Sequence, residues 1–288
     1  MSKNNYKKNS NLEIPKIILI IAKFLSIISS KLTVLFAAKL FTTPIKYKIP
    51  KRELEMYSKS DHELLYIPSI NKKIMVYRYG TSTKKILLVH GWSGRGTQLF
   101  KIADELLKSG YSTISFDAPA HGKSPGKNTL MPEFIETILE LEQQLGPFEV
   151  AIGHSLGGMS LLNSLKKGLK INSLILIGSG DIVKDIIDDF VKKLNLKSNI
   201  SDLLQYHFEK KSGLNMNDFS AHKAAKDITI PVLVIHDEND TEVPVKCAIH
   251  IHKHLMNSEL LLTQNLGHRK ILGDKKVIEK IIHFINLQ

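Results

Sequence analysis

The chain has 288 residues, 43% of them hydrophobic, and one cysteine. It is long enough to bury a large α/β core, and it excludes an internal disulfide or a zinc site built on cysteine pairs. A net charge of +12 would point to nucleic acid, but residues 1–52 carry 11 Lys/Arg against the single acid Glu13, leaving 29 basic and 27 acidic residues for 53–288. The body is close to neutral, so no nucleic-acid partner is expected. One cysteine also fits a reducing, cytoplasmic setting.

Residues 1–52 read as a basic tail and an amphipathic helix, and residues 53–288 as the main domain. Residues 1–11 are Lys/Asn-rich and are expected to be disordered. Residues 14–42 predict one helix, with Pro15 in its first turn and Pro44 just past its end. Ile17, Ile21, Phe24, Leu25, Ile28, Leu32 and Leu35 form an apolar stripe, with Lys16 and Lys23 on the opposite face.

Lys23 and Lys31 would each cost about 2.5–3.5 kcal/mol at the centre of a spanning helix, whereas each apolar residue returns about 0.3–0.6 kcal/mol. The thirteen Ile, Leu, Val and Phe residues between 17 and 36 therefore roughly cancel the lysines, and the Ser and Thr residues tip the sum against insertion. A helix lying on an anionic membrane face remains open, as does one packed on the body or on a second subunit. Oligomeric state is not set by this pattern.

From residue 62 onward, apolar β-type runs alternate with helical patterns. Strands are predicted at 63–67, 74–79, 85–90, 112–117, 148–153, 173–178, 231–236 and 259–263, and helices at 97–109, 131–145, 156–167, 244–256 and 274–287. This alternation predicts a mostly parallel eight-stranded sheet flanked by helices. The short link Ser69–Lys72 makes the first two strands an antiparallel hairpin. Segment 181–222 lacks a strand pattern and reads as a small helical lid.

Gly153-His154-Ser155-Leu156-Gly157-Gly158 follows an apolar strand and opens a helical pattern. Glycines at 153 and 157 permit a tight turn that lifts the Ser155 hydroxyl above the sheet, and the helix start places N–H groups beside a developing oxyanion. Such a serine needs a base. His268, in the loop Gln264–His268 after the last strand, is the best placed of the twelve histidines. Asp240, just past the strand 231–236, is the favoured carboxylate to orient it, with Asp237, Glu238 and the more distant Asp181 as competitors. The second oxyanion N–H, besides that of Leu156, is assigned to Trp92 in His90–Gly94. His250 and His254 have the i, i+4 spacing of a metal pair, but an exposed helix face without an acidic partner is the plainer reading, and no metal is assigned.

These landmarks resemble the α/β-hydrolase superfamily. The resemblance rests on His90-Gly91-Trp92, Asp117–Ser124, Gly153–Gly158, Asp240–Pro244 and Gly267-His268, in family order over residues 62–288. It implies an α/β-hydrolase fold with Ser155 as nucleophile, Asp240 as acid, His268 as base, Trp92 and Leu156 as oxyanion donors, and no cofactor. It gives Asp117 and His121 a turn-shaping role. Asp237 departs from the glycine that relatives often carry. The expected activity is a serine hydrolase cleaving a carboxylic ester or thioester of a small or acyl-chain substrate. Acyl transfer and amide hydrolysis are the alternatives, and a ligand-binding protein without turnover is the reading of another class. Trp92, His154, Met159 and Phe190 are the expected substrate contacts, and apolar residues of 181–222 such as Ile186, Leu194 and Phe208 are expected to line the pocket.

Overall fold

The computed structural model describes residues 14–288, so the expected disorder of 1–11 lies outside the described residues. The strands are β1 (Asp61–Ile67), β2 (Lys72–Tyr79), β3 (Lys85–Val89), β4 (Ser112–Asp117), β5 (Val150–His154), β6 (Ser173–Ile177), β7 (Val232–Asp237) and β8 (Ser258–Thr263). They form one sheet in the order β1-β2-β4-β3-β5-β6-β7-β8. β1 and β2 pair antiparallel, from Asp61 opposite Arg78 to Ile67 opposite Lys72, as the short link required. β2 runs antiparallel to β4, and all later neighbours are parallel. The eight-stranded, mostly parallel sheet of the sequence reading is therefore borne out.

The helices are α1 (Lys16–Ile28), α2 (Ser30–Phe41), α3 (Leu54–Lys59), α4 (Phe100–Lys108), α5 (Met131–Leu145), α6 (Leu156–Lys166), α7 (Val183–Lys193), α8 (Asn199–Ser212), α9 (Ala221–Ala225), α10 (Lys246–His254), α11 (Gly267–Lys270) and α12 (Lys275–Asn286). Strands β3 to β7 are buried on both faces, which is why they read as continuous apolar runs. Their alternate residues feed two cores. Leu87 and Val89 pack with Phe134 and Ile138 of α5 and with Leu161 and Leu162 of α6. Ile86 and Leu88 pack with Ile102 and Leu106 of α4 and with Ile281 and Phe284 of α12. Each such side chain contributes about 1.5–3 kcal/mol on burial. Because the strands are parallel, their C-terminal ends share one edge, where ligand sites of open α/β sheets form.

The N-terminal helix differs from expectation. It is two helices, broken at Ser29, whose backbone is extended (φ −161°, ψ 126°) and whose hydroxyl accepts the Leu32 N–H at 3.4 Å. A serine that caps a new helix competes with continuation of the old one. Val34, Ala37 and Ala38 of α2 are buried on the body, and Phe41 meets Phe190 of α7 and Phe208 of α8 at ring-centroid distances of 5.0 and 5.7 Å. By contrast α1 buries only Ala22, and the predicted stripe faces outward: Ile17, Phe24 and Ile28 are 61%, 62% and 56% exposed.

Between β6 and β7 the chain leaves the sheet to form α7 and α8 and comes back through α9. This helical insertion departs through Gly178–Ile182 and returns at Ser220.

Candidate active site

Ser155 ends β5 and starts α6 with φ 54° and ψ −119°, a backbone conformation that L side chains rarely adopt. It is held by its own N–H, which donates to the carbonyl of Ile177 on β6 at 2.9 Å. The surrounding glycines are required by space. A Cβ on Gly157 would lie 2.4 Å from the Val89 carbonyl oxygen, and one on Gly153 would lie 2.7 Å from backbone atoms of Gly157 and Gly158. A Cβ on Gly91 would come 2.8 Å from the Ser155 Cβ, so the loop after β3 lies directly against the serine. Leu156 opens α6, and the first N–H groups of a helix have no acceptor within it.

His268 lies in the short helix α11 rather than in an open loop, behind Gly267 with φ 61°. Its Nδ1–H donates to Asp240 Oδ2 at 2.7 Å. Asp240 Oδ1 accepts the N–H groups of Glu242 and Val243 at 2.8 and 2.9 Å. Burial works to raise the Asp240 pKa, but the hydrogen bond and charge of His268 and these backbone donors outweigh it and hold the carboxyl below its ordinary range. Gly178 sits behind the pair: a Cβ there would lie 3.3 Å from the His268 ring and 3.7 Å from Asp240 Oδ2. Ser155, Asp240 and His268 thus follow the C-terminal ends of β5, β7 and β8, on one edge of the sheet.

The family model for the alpha/beta hydrolase fold matches residues 84–210, and a second, described as TAP-like protein, matches residues 215–286. The chain belongs to the α/β-hydrolase superfamily. It is 22% identical over 244 residues to the AB hydrolase superfamily protein YisY of Bacillus subtilis (strain 168), covering 69% of this chain and 90% of that one. Among solved structures it resembles an esterase from Exiguobacterium antarcticum (TM-score 0.60, 22% identity, 75% of this chain and 97% of the other). It also resembles a bromoperoxidase from Bacillus anthracis (TM-score 0.61, 18% identity, 79% and 100%). These structural likenesses speak for the fold.

In this α/β-hydrolase, two buried histidines shape the loop that carries Trp92. His121 Nδ1–H donates to the Pro119 carbonyl at 3.0 Å, leaving Nε2 to accept the Ser93 N–H at 3.0 Å. His90 Nδ1–H donates to the Gly91 carbonyl at 2.6 Å, and its Nε2 accepts the Ala118 N–H at 3.0 Å. Burial pushes their pKa values down to about 4 for His90 and about 3 for His121. Asp117 accepts the Gly96 N–H, the Lys123 N–H and the Tyr77 hydroxyl at 2.6–2.7 Å. The turn after β4 is therefore built on this one carboxylate.

The expected substrate contacts are dispersed. The Trp92 side chain is 37% exposed beside His121. Met159 is buried in the core against Gly180, and Phe190 is half-buried edge-on to Phe41. His154 is also buried, and its Nε2–H donates to the carbonyl of His268 at 2.9 Å, so it supports the base instead of facing outward. Of the insertion's apolar residues, Leu194 and Phe208 are buried and Ile186 is exposed. Among the described residues Asp237 makes no hydrogen bond to the His268 ring; it accepts the N–H groups of Asn239 and Leu266 at 3.0 Å and the Thr263 hydroxyl at 2.8 Å, binding the acid loop to the histidine loop. Its carboxylate explains the departure from glycine.

The plain reading of α10 is corrected. His250 has an acidic partner, Asp181, whose Oδ2 lies 2.5 Å from its Nδ1. His222, which no motif had singled out, occupies the other oxygen at 2.8 Å.

Proposed function

We propose that this protein is a serine hydrolase that cleaves a carboxylic ester or thioester through an acyl-enzyme on Ser155. The observation that carries the reading is the Asp240–His268 hydrogen bond of 2.7 Å, held on the same sheet edge as a serine with φ 54°. In the proposed reaction, the ring of His268, kept in its Nδ1–H tautomer by Asp240, takes the Ser155 proton at Nε2 as Oγ attacks the acyl carbonyl. The N–H groups of Leu156 and Trp92 receive the oxyanion. His268 returns the proton to the leaving alkoxide or thiolate, then activates water to release the acid and restore Ser155. The insertion would act as a lid.

An acyl-chain substrate is favoured by where the apolar surface lies. The exposed apolar side chains of α1, with Lys16 and Lys23 on the same helix, suit an anionic membrane face, while α2 joins α1 to the insertion through Phe41. No helix among the described residues is long and apolar enough to cross a membrane.

The test is a fluorophosphonate probe on wild type and Ser155→Ala, with p-nitrophenyl esters of increasing chain length alongside. Labelling and turnover should vanish in the variant, since loss of such a serine costs on the order of 10⁶ in kcat. A folded wild type that neither labels nor turns over would leave the fold without the activity, and favour a ligand-binding role.

A further inference from the structure

We propose that Asp181, His222 and His250 form a binding site for a borderline transition-metal dication, with zinc as the leading candidate, at the neck of the helical insertion. Asp181 stands where the chain leaves the sheet and His222 where it comes back, in α9; His250 belongs to α10 of the body. One carboxylate oxygen and one ring nitrogen from each histidine lie within 4.8 Å of one another. A carboxylate with two imidazoles is a donor set that selects zinc, cobalt or nickel over calcium and magnesium.

The site has the supports of a built one. Asp181 is 2% exposed, so its charge is withdrawn from water and must be matched locally. Its Oδ1 also accepts the backbone N–H of His222 at 2.9 Å, and its own carbonyl accepts the Ala221 N–H at 3.0 Å, which fixes the carboxylate against α9. A third ring, His254, lies with its centroid 4.5 Å from His250 and 5.4 Å from His222. Its Nδ1–H donates to the His250 carbonyl at 2.8 Å, which leaves Nε2 as the lone-pair nitrogen. Backbone bonds of this kind set the tautomer of ligating histidines. His254 or water would complete four-coordination.

The Nδ1–oxygen distances of 2.5 and 2.8 Å are those of direct hydrogen bonds. Tetrahedral ligands at about 2.0–2.1 Å from zinc stand roughly 3.3 Å apart, so the rings must open by under an ångström to admit the ion. The ring proton then moves from Nδ1 to Nε2, and Nδ1 gives its lone pair to the metal. His250 is 38% exposed on its side chain, which provides the path of entry. Asp181 contacts neither Ser155 nor His268 in the hydrogen-bond pattern, so the ion's role is to clip both ends of the insertion to α10.

The test uses the full chain, stripped with a chelator and titrated with Zn²⁺ by calorimetry and with Co²⁺ by visible absorption. One equivalent should bind, with the intense d–d bands of a four-coordinate site. Affinity should fall at least ten-fold in His250→Ala and in His222→Ala, and stay unchanged in His283→Ala, a histidine on the exposed face of α12. His250→Ala removes a part-exposed side chain from α10 and leaves the Asp181–α9 bonds in place, so it keeps the comparison open if His222→Ala misfolds. Bound zinc should also slow proteolysis within 183–219. Absence of binding of either ion, or binding that persists in folded His250→Ala, overturns the site whatever the enzyme's activity.

Discussion

The imidazole of His154 donates to the carbonyl oxygen of His268 at 2.9 Å, so the residue before the nucleophile holds the backbone of the base. The two rings also lie 4.6 Å apart, and His154 has no other side-chain hydrogen bond among the described residues. His154→Phe keeps the bulk and removes the donor. A displacement near 1 Å at a reacting group costs on the order of 10²-fold, so kcat should fall about 10- to 100-fold with KM little changed. Ester hydrolysis by the folded variant checks this. A kcat equal to wild type would make His154 mere filling.

Asp240 and Asp237 sit on the same loop and separate by experiment. Asp240→Asn keeps the shape but spoils the tautomer of His268, and kcat should fall by about 10⁴ with little loss of Tm. Asp237→Ala leaves Asn239, Leu266 and Thr263 donors unmatched, at about 1–3 kcal/mol for each that stays buried. Its Tm should fall clearly while more of kcat survives than in Asp240→Asn. Thermal unfolding and turnover on both variants give the comparison, and the reverse ranking would exchange their roles.

Acid should destabilise the fold early. Burial lowers the His90 and His121 pKa values from an ordinary 6.5 to about 4 and about 3, and lowers those of His154 and His236 in the same direction. The unfolded chain takes up these protons near pH 6.5 while the folded one refuses them. Their contribution to stability is complete above 6.5 and is lost as pH falls toward about 4 and 3. Asp240 and Asp237, also held low, lose theirs further down, with the same sign. Each affected histidine adds on the order of 1.4 kcal/mol per pH unit within its window. Urea midpoints between pH 8 and 4.5 should therefore be flat above 6.5 and fall steeply below 6; a level profile down to 5 contradicts the buried neutral histidines.

How far the sequence could be read follows from where each signal lives. β3 to β7 were legible because strands buried on both faces are unbroken apolar runs, and the Ser155 turn because no side chain fits at 153 or 157. Three things were not. The break at Ser29 depends on a capping bond that periodicity ignores. The stripe of α1 was seen, but an apolar period says only that a face exists, and the chain buries the Ala22 side instead. The Asp181 pairs reach across 41 residues to His222 and 69 to His250, and the His154–His268 bond across 114, separations at which one sequence carries no pairing signal.

The outward stripe of α1 leads to a last prediction. Ile17, Ile20, Phe24, Ile27 and Ile28 are all more than half exposed, and Lys16 and Lys23 lie on the same short helix. Exposed apolar area of this kind calls for a cover, and the lysines make an anionic lipid face the best match, at about 1 kcal/mol per charge near the surface. The protein should sediment with vesicles rich in phosphatidylserine or phosphatidylglycerol and far less with phosphatidylcholine, and the binding should weaken as salt rises. Phe24→Asp with Ile27→Asp should cut partitioning at least ten-fold and leave Tm unchanged, since neither side chain is buried. Should the wild type ignore anionic vesicles and run as a dimer that the double variant dissolves, a second copy is the cover, and α1 is a subunit contact. If the vesicles bind, α1 meets the lipid while α2, through Phe41, touches the insertion helices α7 and α8. Turnover of long-chain esters should then rise on vesicles in wild type and not in the variant.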